Sequence, residues 1–194
     1  WSEFYKLVRK FSETFRQVNI PKGHPILIYG HKEASYVAAV AAALINEIPY
    51  IPVDKIMPDD RIKKIKQISG STVLVHCMET DLTSIFPIII NSLAKQTINR
   101  QFDFSKSVHW RSDDPICYII FTSGSTGEPK GVQITRMAVR SYLDWIDKDF
   151  GFTTDEIFMN QAPFSFDLSV YELYSFLHTG GTLILNTNEQ TANP

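Results

Sequence analysis

The chain has 194 residues, a formal net charge of −2, and a composition that is 44% hydrophobic and 21% charged. These values are typical of a globular protein and exclude a disordered, collagen-like or coiled-coil chain. The nearly balanced charge provides no general attraction to nucleic acid or to an anionic membrane, so nucleic-acid binding is not expected.

Helix-like and strand-like patterns alternate along the first part of the chain. Apolar residues at helical spacing predict helices over residues 2–18, 33–46 and 59–68. Short apolar runs predict buried strands over residues 25–29, 49–53 and 72–76. This alternation is typical of an α/β protein with a mainly parallel sheet and helices on both faces.

The second part of the chain is less regular at first. Residues 81–114 have mixed polarity and predict a surface connection with room for a short edge strand. Further strands are predicted over residues 116–121, 132–134, 157–159 and 182–185. Further helices are predicted over residues 136–150 and 168–177. No internal repeat or clear linker is visible, so we expect one α/β domain, or most of one.

The sequence contains no pattern typical of a metal site, a disulfide framework or a membrane span. Cys77 and Cys117 lie 40 residues apart, and the five histidines are scattered, so neither a disulfide framework nor zinc-ligand spacing is present. The adjacent His76 and Cys77 are interpreted as structural, because neighbouring residues at a strand end point to different faces. No apolar run reaches the ~18 residues of a membrane span and no signal peptide is visible, so we expect a cytoplasmic protein.

The most informative stretch is a loop that directly follows the strand predicted over residues 116–121. It contains hydroxyls at Thr122, Ser123, Ser125 and Thr126, glycines at Gly124, Gly127 and Gly131, and a single lysine, Lys130. Glycines let backbone N–H groups approach an anion, hydroxyls add donors, and lysine adds positive charge. A solvated turn is the alternative, but a turn needs only one or two such residues. Pro129 and Gly131 flank the lysine, so this is not a Walker loop.

Asp167 allows two interpretations. It stands between Phe166 and Leu168, and a carboxylate in apolar surroundings requires a cation or hydrogen-bond donors. Alternatively, Asp167 caps the helix that begins near Leu168, because Asp is a preferred N-cap residue. The residues alone favour neither interpretation.

The loop also resembles the signature of a known superfamily. Phe121 to Gly131 reads Phe-Thr-Ser-Gly-Ser-Thr-Gly-Glu-Pro-Lys-Gly. It is similar to the phosphate loop of the AMP-forming adenylating enzymes, which include acyl-CoA synthetases, nonribosomal peptide adenylation domains and firefly luciferase. The resemblance implies binding of ATP with Mg²⁺ by Thr122, Ser123, Gly124, Ser125, Thr126, Gly127 and Lys130. It assigns no catalytic residue and no metal ligand to this chain, and the family's metal-binding glutamate is expected elsewhere.

The resemblance also concerns the substrate. The stretch Phe-Asp-Leu-Ser from Phe166 to Ser169 is similar to the motif of amino-acid-adenylating members, whose aspartate binds the substrate ammonium. It implies that Asp167 binds an amino acid, with Leu168 and Tyr171 lining the pocket.

A closer resemblance extends over nearly the whole chain. Tyr29-Gly-His31, Tyr50 to Asp54 with Pro58 and Asp60-Arg61 soon after, and residues 160–169 together resemble the D-alanine–D-alanyl carrier protein ligases. These enzymes activate D-alanine as its adenylate and load it onto a carrier protein for teichoic acid modification of the cell wall. The resemblance implies that residues 1–194 are the first, incomplete subdomain of the large N-terminal domain. An adenylation domain for another small amino acid and a non-catalytic fragment remain the alternatives.

Overall fold

Helices and strands alternate in the computed structural model, which describes residues 1–91, 96–99, 104, 114–123 and 127–186. The helices are α1 (Ser2–Gln17), α2 (Ala34–Ile45), α3 (Asp59–Ser69), α4 (Arg136–Asp149) and α5 (Ser169–Thr179). The strands are β1 (Ile26–Gly30), β2 (Tyr50–Asp54), β3 (Val73–His76), β4 (Ile88–Asn91), β5 (Gln96–Asn99), β6 (Ile116–Ser123), β7 (Pro129–Thr135), β8 (Ile157–Asn160) and β9 (Thr182–Leu185). All five predicted helices and all seven predicted strands are confirmed, with small shifts at their ends.

Seven of these strands form one mainly parallel sheet in the described part of the chain. Their order is β5-β4-β3-β1-β2-β6-β7. The five strands from β4 to β6 run parallel to their neighbours, and the edge strands β5 and β7 are antiparallel to β4 and β6. The predicted α/β class with a mainly parallel sheet is therefore confirmed. Strands β8 and β9 form a separate parallel pair rather than extending this sheet.

Helices cover both faces of the large sheet, as predicted. On one face, alternate strand residues such as Ile26 and Ile28 pack in a buried cluster with α1 and α2. On the other face, Leu27 joins a second cluster with Ile62 and Ile65 of α3. Because successive strand residues point to opposite faces, a strand buried on both sides is apolar throughout. This accounts for the uninterrupted apolar runs in β1 and β3.

Two helices end where the sequence places a glycine. The C-cap of α3 is Gly70 at φ 67°, and the C-cap of α5 is Gly180 at φ 76°. Glycine adopts this left-handed conformation without the penalty that a β-carbon brings, so it ends a helix sharply. The cap at Gly70 agrees with the helix predicted over residues 59–68.

The interpretation of residues 81–114 as a surface connection is wrong for part of that segment. A 3-10 helix spans Asp81–Ile85, and β4 then forms an inner strand of the sheet in which Ile88, Ile89 and Ile90 are almost fully buried. The strand has only four residues, and the polar residues around it dilute the pattern over a longer window. The edge position of β5 agrees with the short edge strand that was expected. Residues 92–95, 100–103 and 105–113 lie outside the described residues.

The topology identifies the edge of the sheet where a ligand would bind. Helix α2 follows β1 on one face, whereas α3 follows β2 on the opposite face. In open α/β sheets, ligands bind beside such a reversal, outside the carboxyl ends of the strands.

Among the described helices, none is long and apolar enough to cross a membrane.

Candidate functional site

A cavity of about 610 Å³ opens at the carboxyl ends of β2 and β6. Its walls come from the segment after β2, from the last residues of β6, from β7 and from the segment before α5. The lining residues are Ile56, Met57, Pro58, Arg61, Tyr118, Ile120, Phe121, Thr122, Ser123, Val132, Ile134, Ser165, Phe166 and Asp167. This volume lies within the range of small-molecule sites.

The predicted phosphate loop connects two antiparallel strands beside this cavity. Thr122 and Ser123 are the last residues of β6, are exposed, and line the cavity. Lys130 is the second residue of β7, opposite Thr122, and its side chain is exposed. Gly127 is exposed at φ 79°. The structure therefore brings both ends of the loop together at the base of a hairpin.

The central residues of the loop, Gly124, Ser125 and Thr126, lie outside the described residues. The sequence predicted an extended segment only over residues 132–134, whereas β7 already begins at Pro129. Lys130 is consequently part of a strand, and its strand partner Thr122 holds it beside the hydroxyls at the end of β6.

Asp167 lines the same cavity, but not in the way that either interpretation of its surroundings expected. Its side chain is exposed, so the expectation of a buried acid is wrong. The capping interpretation is also wrong, because the N-cap residue of α5 is Leu168 and no side-chain hydrogen bond caps this helix. The backbone carbonyls of Phe166 and Asp167 accept from the N–H groups of Ser169 and Val170 instead. The carboxylate is therefore available to a ligand.

The other two predicted substrate residues lie outside the lining of this cavity. Leu168 is 74% exposed. The ring of Tyr171 packs against Phe150 and Phe152, at centroid distances of 6.4 and 6.3 Å. Their role in substrate binding stays a prediction.

A buried pair holds the segment after β2 in place. His31 follows β1 and Asp54 ends β2, and His31 Nδ1 lies 2.7 Å from Asp54 Oδ2. The other carboxylate oxygen, Oδ1, accepts from the backbone N–H of Ile56 at 3.0 Å. Both side chains are less than a tenth exposed. Asp54 thereby fixes the start of the segment that forms one wall of the cavity.

Lys32 connects the end of β1 to the segment that leads to Asp167. Its Nζ donates to the carbonyl oxygens of Asn160 at 3.2 Å and Gln161 at 2.8 Å. Burial lowers the pKa of Lys32, and the charges of Asp54 and Glu172 oppose this effect. The contact ties β8 to the large sheet at the end where the cavity opens.

Two residues of the cavity wall were not proposed as site residues from the sequence. Arg61 lies on α3 and donates from Nη2 to the carbonyl oxygen of Phe121 at 3.3 Å. Tyr118 lies within β6, where burial first, and then the neighbouring Cys117 and Asp167, raise its pKa to about 12. Arg61 belongs to a charged helix and entered the sequence analysis only as part of a resemblance, without a role, and Tyr118 belongs to an apolar strand that carries no local signal.

The raised pKa of Tyr118 predicts a loss of stability at high pH. The unfolded chain releases this proton near pH 10, whereas the folded chain retains it until about pH 12. The contribution is therefore complete below pH 10 and disappears as the pH rises through 12. Because Tyr118 is buried but borders the open cavity, where solvent screens part of the effect, we expect this contribution to amount to about 1–2 kcal/mol.

Urea unfolding of the wild type and Tyr118→Phe at pH 8 and pH 11.5 measures this contribution. The wild type should lose more free energy of unfolding between the two pH values than the variant. Equal losses would show that Tyr118 titrates no differently in the folded and unfolded chain.

Comparison with known proteins places this arrangement in a family. The model of the AMP-binding enzyme family matches residues 1–194. The D-alanine–D-alanyl carrier protein ligase of Bacillus cytotoxicus is 38% identical over 172 residues, which are 88% of this chain and 34% of that protein. The ligase of the same name from Bacillus velezensis is 39% identical over 171 residues, again 88% and 34%. The chain thus spans about a third of the length of these relatives.

A solved structure with a similar fold is the nonribosomal peptide synthetase FmoA3. It superposes with a TM-score of 0.74 at 20% identity, and the match covers 94% of this chain and 19% of that one. At this identity, the likeness concerns the fold.

Proposed function

The chain belongs to the AMP-binding enzyme family, and from this premise we propose that it forms part of an ATP-dependent ligase that activates an amino acid, D-alanine first among the candidates. In the first step, a carboxylate oxygen of the amino acid bonds to the α-phosphorus of ATP, and pyrophosphate leaves. In the second step, the thiol of a carrier protein's phosphopantetheine attacks the acyl carbon, and AMP leaves. The substrate, the carrier protein and teichoic acid modification are parts of this proposal.

One observation carries the proposal. The cavity contains hydrogen-bond donors suited to phosphates, the hydroxyls of Thr122 and Ser123, together with the carboxylate of Asp167. An amino acid that reacts with ATP requires both features, because its ammonium needs an anion and the leaving pyrophosphate needs donors. A fatty-acid substrate would have no use for the carboxylate.

The phosphate end acts through electrostatics. Negative charge develops on the pyrophosphate as it leaves, and donors already in position stabilise that charge without having to reorganise. We assign this role to Thr122, Ser123 and Lys130, with the loop residues Gly124, Ser125, Thr126 and Gly127 as the predicted remainder of the site. Mg²⁺ would neutralise phosphate charge further. No group of three His, Cys, Asp or Glu side chains suited to a metal occurs among the described residues, so we assign it no ligand here.

The substrate end acts through orientation. Asp167 would pair with the α-ammonium group and thereby direct the carboxylate of the amino acid towards ATP. Alignment of this kind lowers the barrier of a reaction between two bound substrates. Leu168 and Tyr171 stay predicted as pocket residues beyond the lining of this cavity.

The relatives' names support D-alanine as substrate, and they concern proteins about three times as long as this chain. We propose that residues 1–194 act as the first subdomain of an N-terminal adenylation domain and that the protein works in the cytoplasm. Exchange of pyrophosphate with ATP, measured on the product of the complete reading frame with D-alanine, L-alanine and glycine, tests the proposal. Exchange stimulated best by D-alanine supports it. Preference for another amino acid would favour a peptide-synthetase adenylation domain, and no stimulation would favour a non-catalytic fragment.

Lys130→Ala tests the phosphate end. Removing the lysine at the start of β7 should raise the KM for ATP and slow the exchange reaction. The loss should correspond to about 1.5–3 kcal/mol of transition-state stabilisation, the range for a hydrogen bond to a charged group. Lys148→Ala removes an equally exposed lysine from the last turn of α4 and serves as the matched control. Unchanged kinetics in Lys130→Ala would show that this lysine belongs to a solvated turn and has no role in ATP binding.

A further inference from the structure

Arg61 lies where helix α3 meets the base of the phosphate loop. Its Nη2 donates to the carbonyl oxygen of Phe121 at 3.3 Å, and Phe121 immediately precedes Thr122. Arg61 also lines the 610 Å³ cavity. Arg61 therefore presents its charge beside the two hydroxyls that end β6.

The guanidinium retains hydrogen-bonding capacity that the described residues do not use. Its Nε is buried and has no hydrogen-bond partner in the described part of the chain. No carboxylate among the described residues lies within 4 Å of the guanidinium. Asp60, one residue before it, pairs with Lys63 instead at 3.1 Å. Because arginine remains charged at all relevant pH values, a partly buried guanidinium of this kind favours an anion.

The surroundings indicate which anion is suitable. One turn further along α3, Lys64 Nζ pairs with Glu128 Oε1 at 2.8 Å. Glu128 lies at the other end of the loop, just before β7. Helix α3 thus contacts the hairpin on both sides of the loop, and Arg61 faces the hydroxyl-bearing side. Guanidinium and hydroxyl donors in one place suit phosphate oxygens, since arginine can donate two parallel hydrogen bonds to them.

We propose that Arg61 is a further phosphate-binding residue of this site, which donates through the N–H groups of its guanidinium that face the cavity to a polyphosphate bound at the end of β6. This inference rests on the proposed function, because it assumes that the cavity binds the phosphates of ATP. It adds a second cation, from a helix about 60 residues earlier in the chain, to the lysine of the loop.

Isothermal titration of the product of the complete reading frame with inorganic triphosphate tests the proposal without the complete reaction. Arg61→Gln should weaken binding about tenfold or more, the low end expected for a lost hydrogen bond to a charged group. Arg61→Lys keeps the charge but loses the planar pair of donors, so its affinity for triphosphate should lie between those of the wild type and Arg61→Gln. Lys63→Gln, which removes a charge from the exposed side of the same helix, is the matched control and should change affinity less than twofold.

A second readout separates binding from a purely structural role. If Arg61 contacts the phosphates, Arg61→Gln should make the affinity less sensitive to salt, because one screened charge pair is gone. A merely structural role through the Phe121 carbonyl would lower the melting temperature and leave the salt dependence unchanged. That second pattern would overturn the proposal.

The remaining outcomes also decide. If Lys130→Ala weakens triphosphate binding and Arg61→Gln does not, the phosphate site stands and Arg61 has no part in it. If the wild-type product of the complete reading frame does not bind triphosphate under conditions in which it is folded, the phosphate site of the proposed function fails, and the role of Arg61 fails with it.

Discussion

Replacing Asp167 by Asn is expected to weaken amino-acid binding by about 1.5–3 kcal/mol, the range for a hydrogen bond to a charged group. The substitution keeps the shape of the side chain but removes its charge, so the ammonium of the substrate loses its counterion. The KM for ATP should change little. Thermal stability should stay near that of the wild type, because the carboxylate is exposed and does not cap α5.

Exchange kinetics with varied D-alanine, together with a thermal melt, measure both effects. Asp155→Asn is a suitable control, since it removes an equally exposed carboxylate from the loop before β8. A fall in stability with unchanged amino-acid affinity would contradict the assignment.

Selectivity provides a stricter test of the same residue. Propionate has the carbon skeleton of alanine without the ammonium group. Wild-type Asp167 should disfavour it, because a carboxylate that loses contact with water and gains no cation is costly. Asp167→Asn should therefore reduce the preference for D-alanine over propionate. If the preference is unchanged, ammonium recognition does not depend on Asp167.

Local pattern was sufficient to predict most of the fold. The residues of β1 form an unbroken apolar run, and the alanine-rich α2 is apolar on most sides, so the sequence of each element already indicates that it is buried. Strand β4 was missed because three isoleucines are too short a signal against polar neighbours. The separate pairing of β8 and β9 depends on tertiary contacts, which no local pattern contains.

The candidate site divides in the same way. The loop could be proposed as a phosphate site because its donors are contiguous in the sequence. The contribution of Arg61 could not, because its partner Phe121 lies 60 residues away. The burial of Asp167 was misjudged for a related reason. Apolar sequence neighbours do not bury a side chain when those neighbours, Phe166 and Leu168, are themselves 54% and 74% exposed.

Asp54→Ala is expected to destabilise the fold by about 3–6 kcal/mol, because it removes the acceptor of two hydrogen bonds that each contribute about 1.5–3 kcal/mol. His31 Nδ1 lies 2.7 Å from one carboxylate oxygen, and the N–H of Ile56 donates to the other at 3.0 Å. Both donors lie at the reversal between β1 and β2, where water has little access to replace the lost acceptor.

The surface pair of Asp60 and Lys63 provides the matched control. Asp60→Ala also removes an aspartate that has a basic partner, in this case Lys63. The side chains of Asp60 and Lys63 are both more than half exposed, so the expected loss in free energy of unfolding is below ~1 kcal/mol. Urea unfolding at pH 7 compares the two variants, and Asp54→Asn, which keeps one acceptor oxygen, should fall between them. Because Ile56 begins the wall of the cavity, Asp54→Ala should also weaken triphosphate binding under conditions in which the variant remains folded. A loss for Asp54→Ala no larger than that for Asp60→Ala would mean that the buried pair does not hold the two strand ends together.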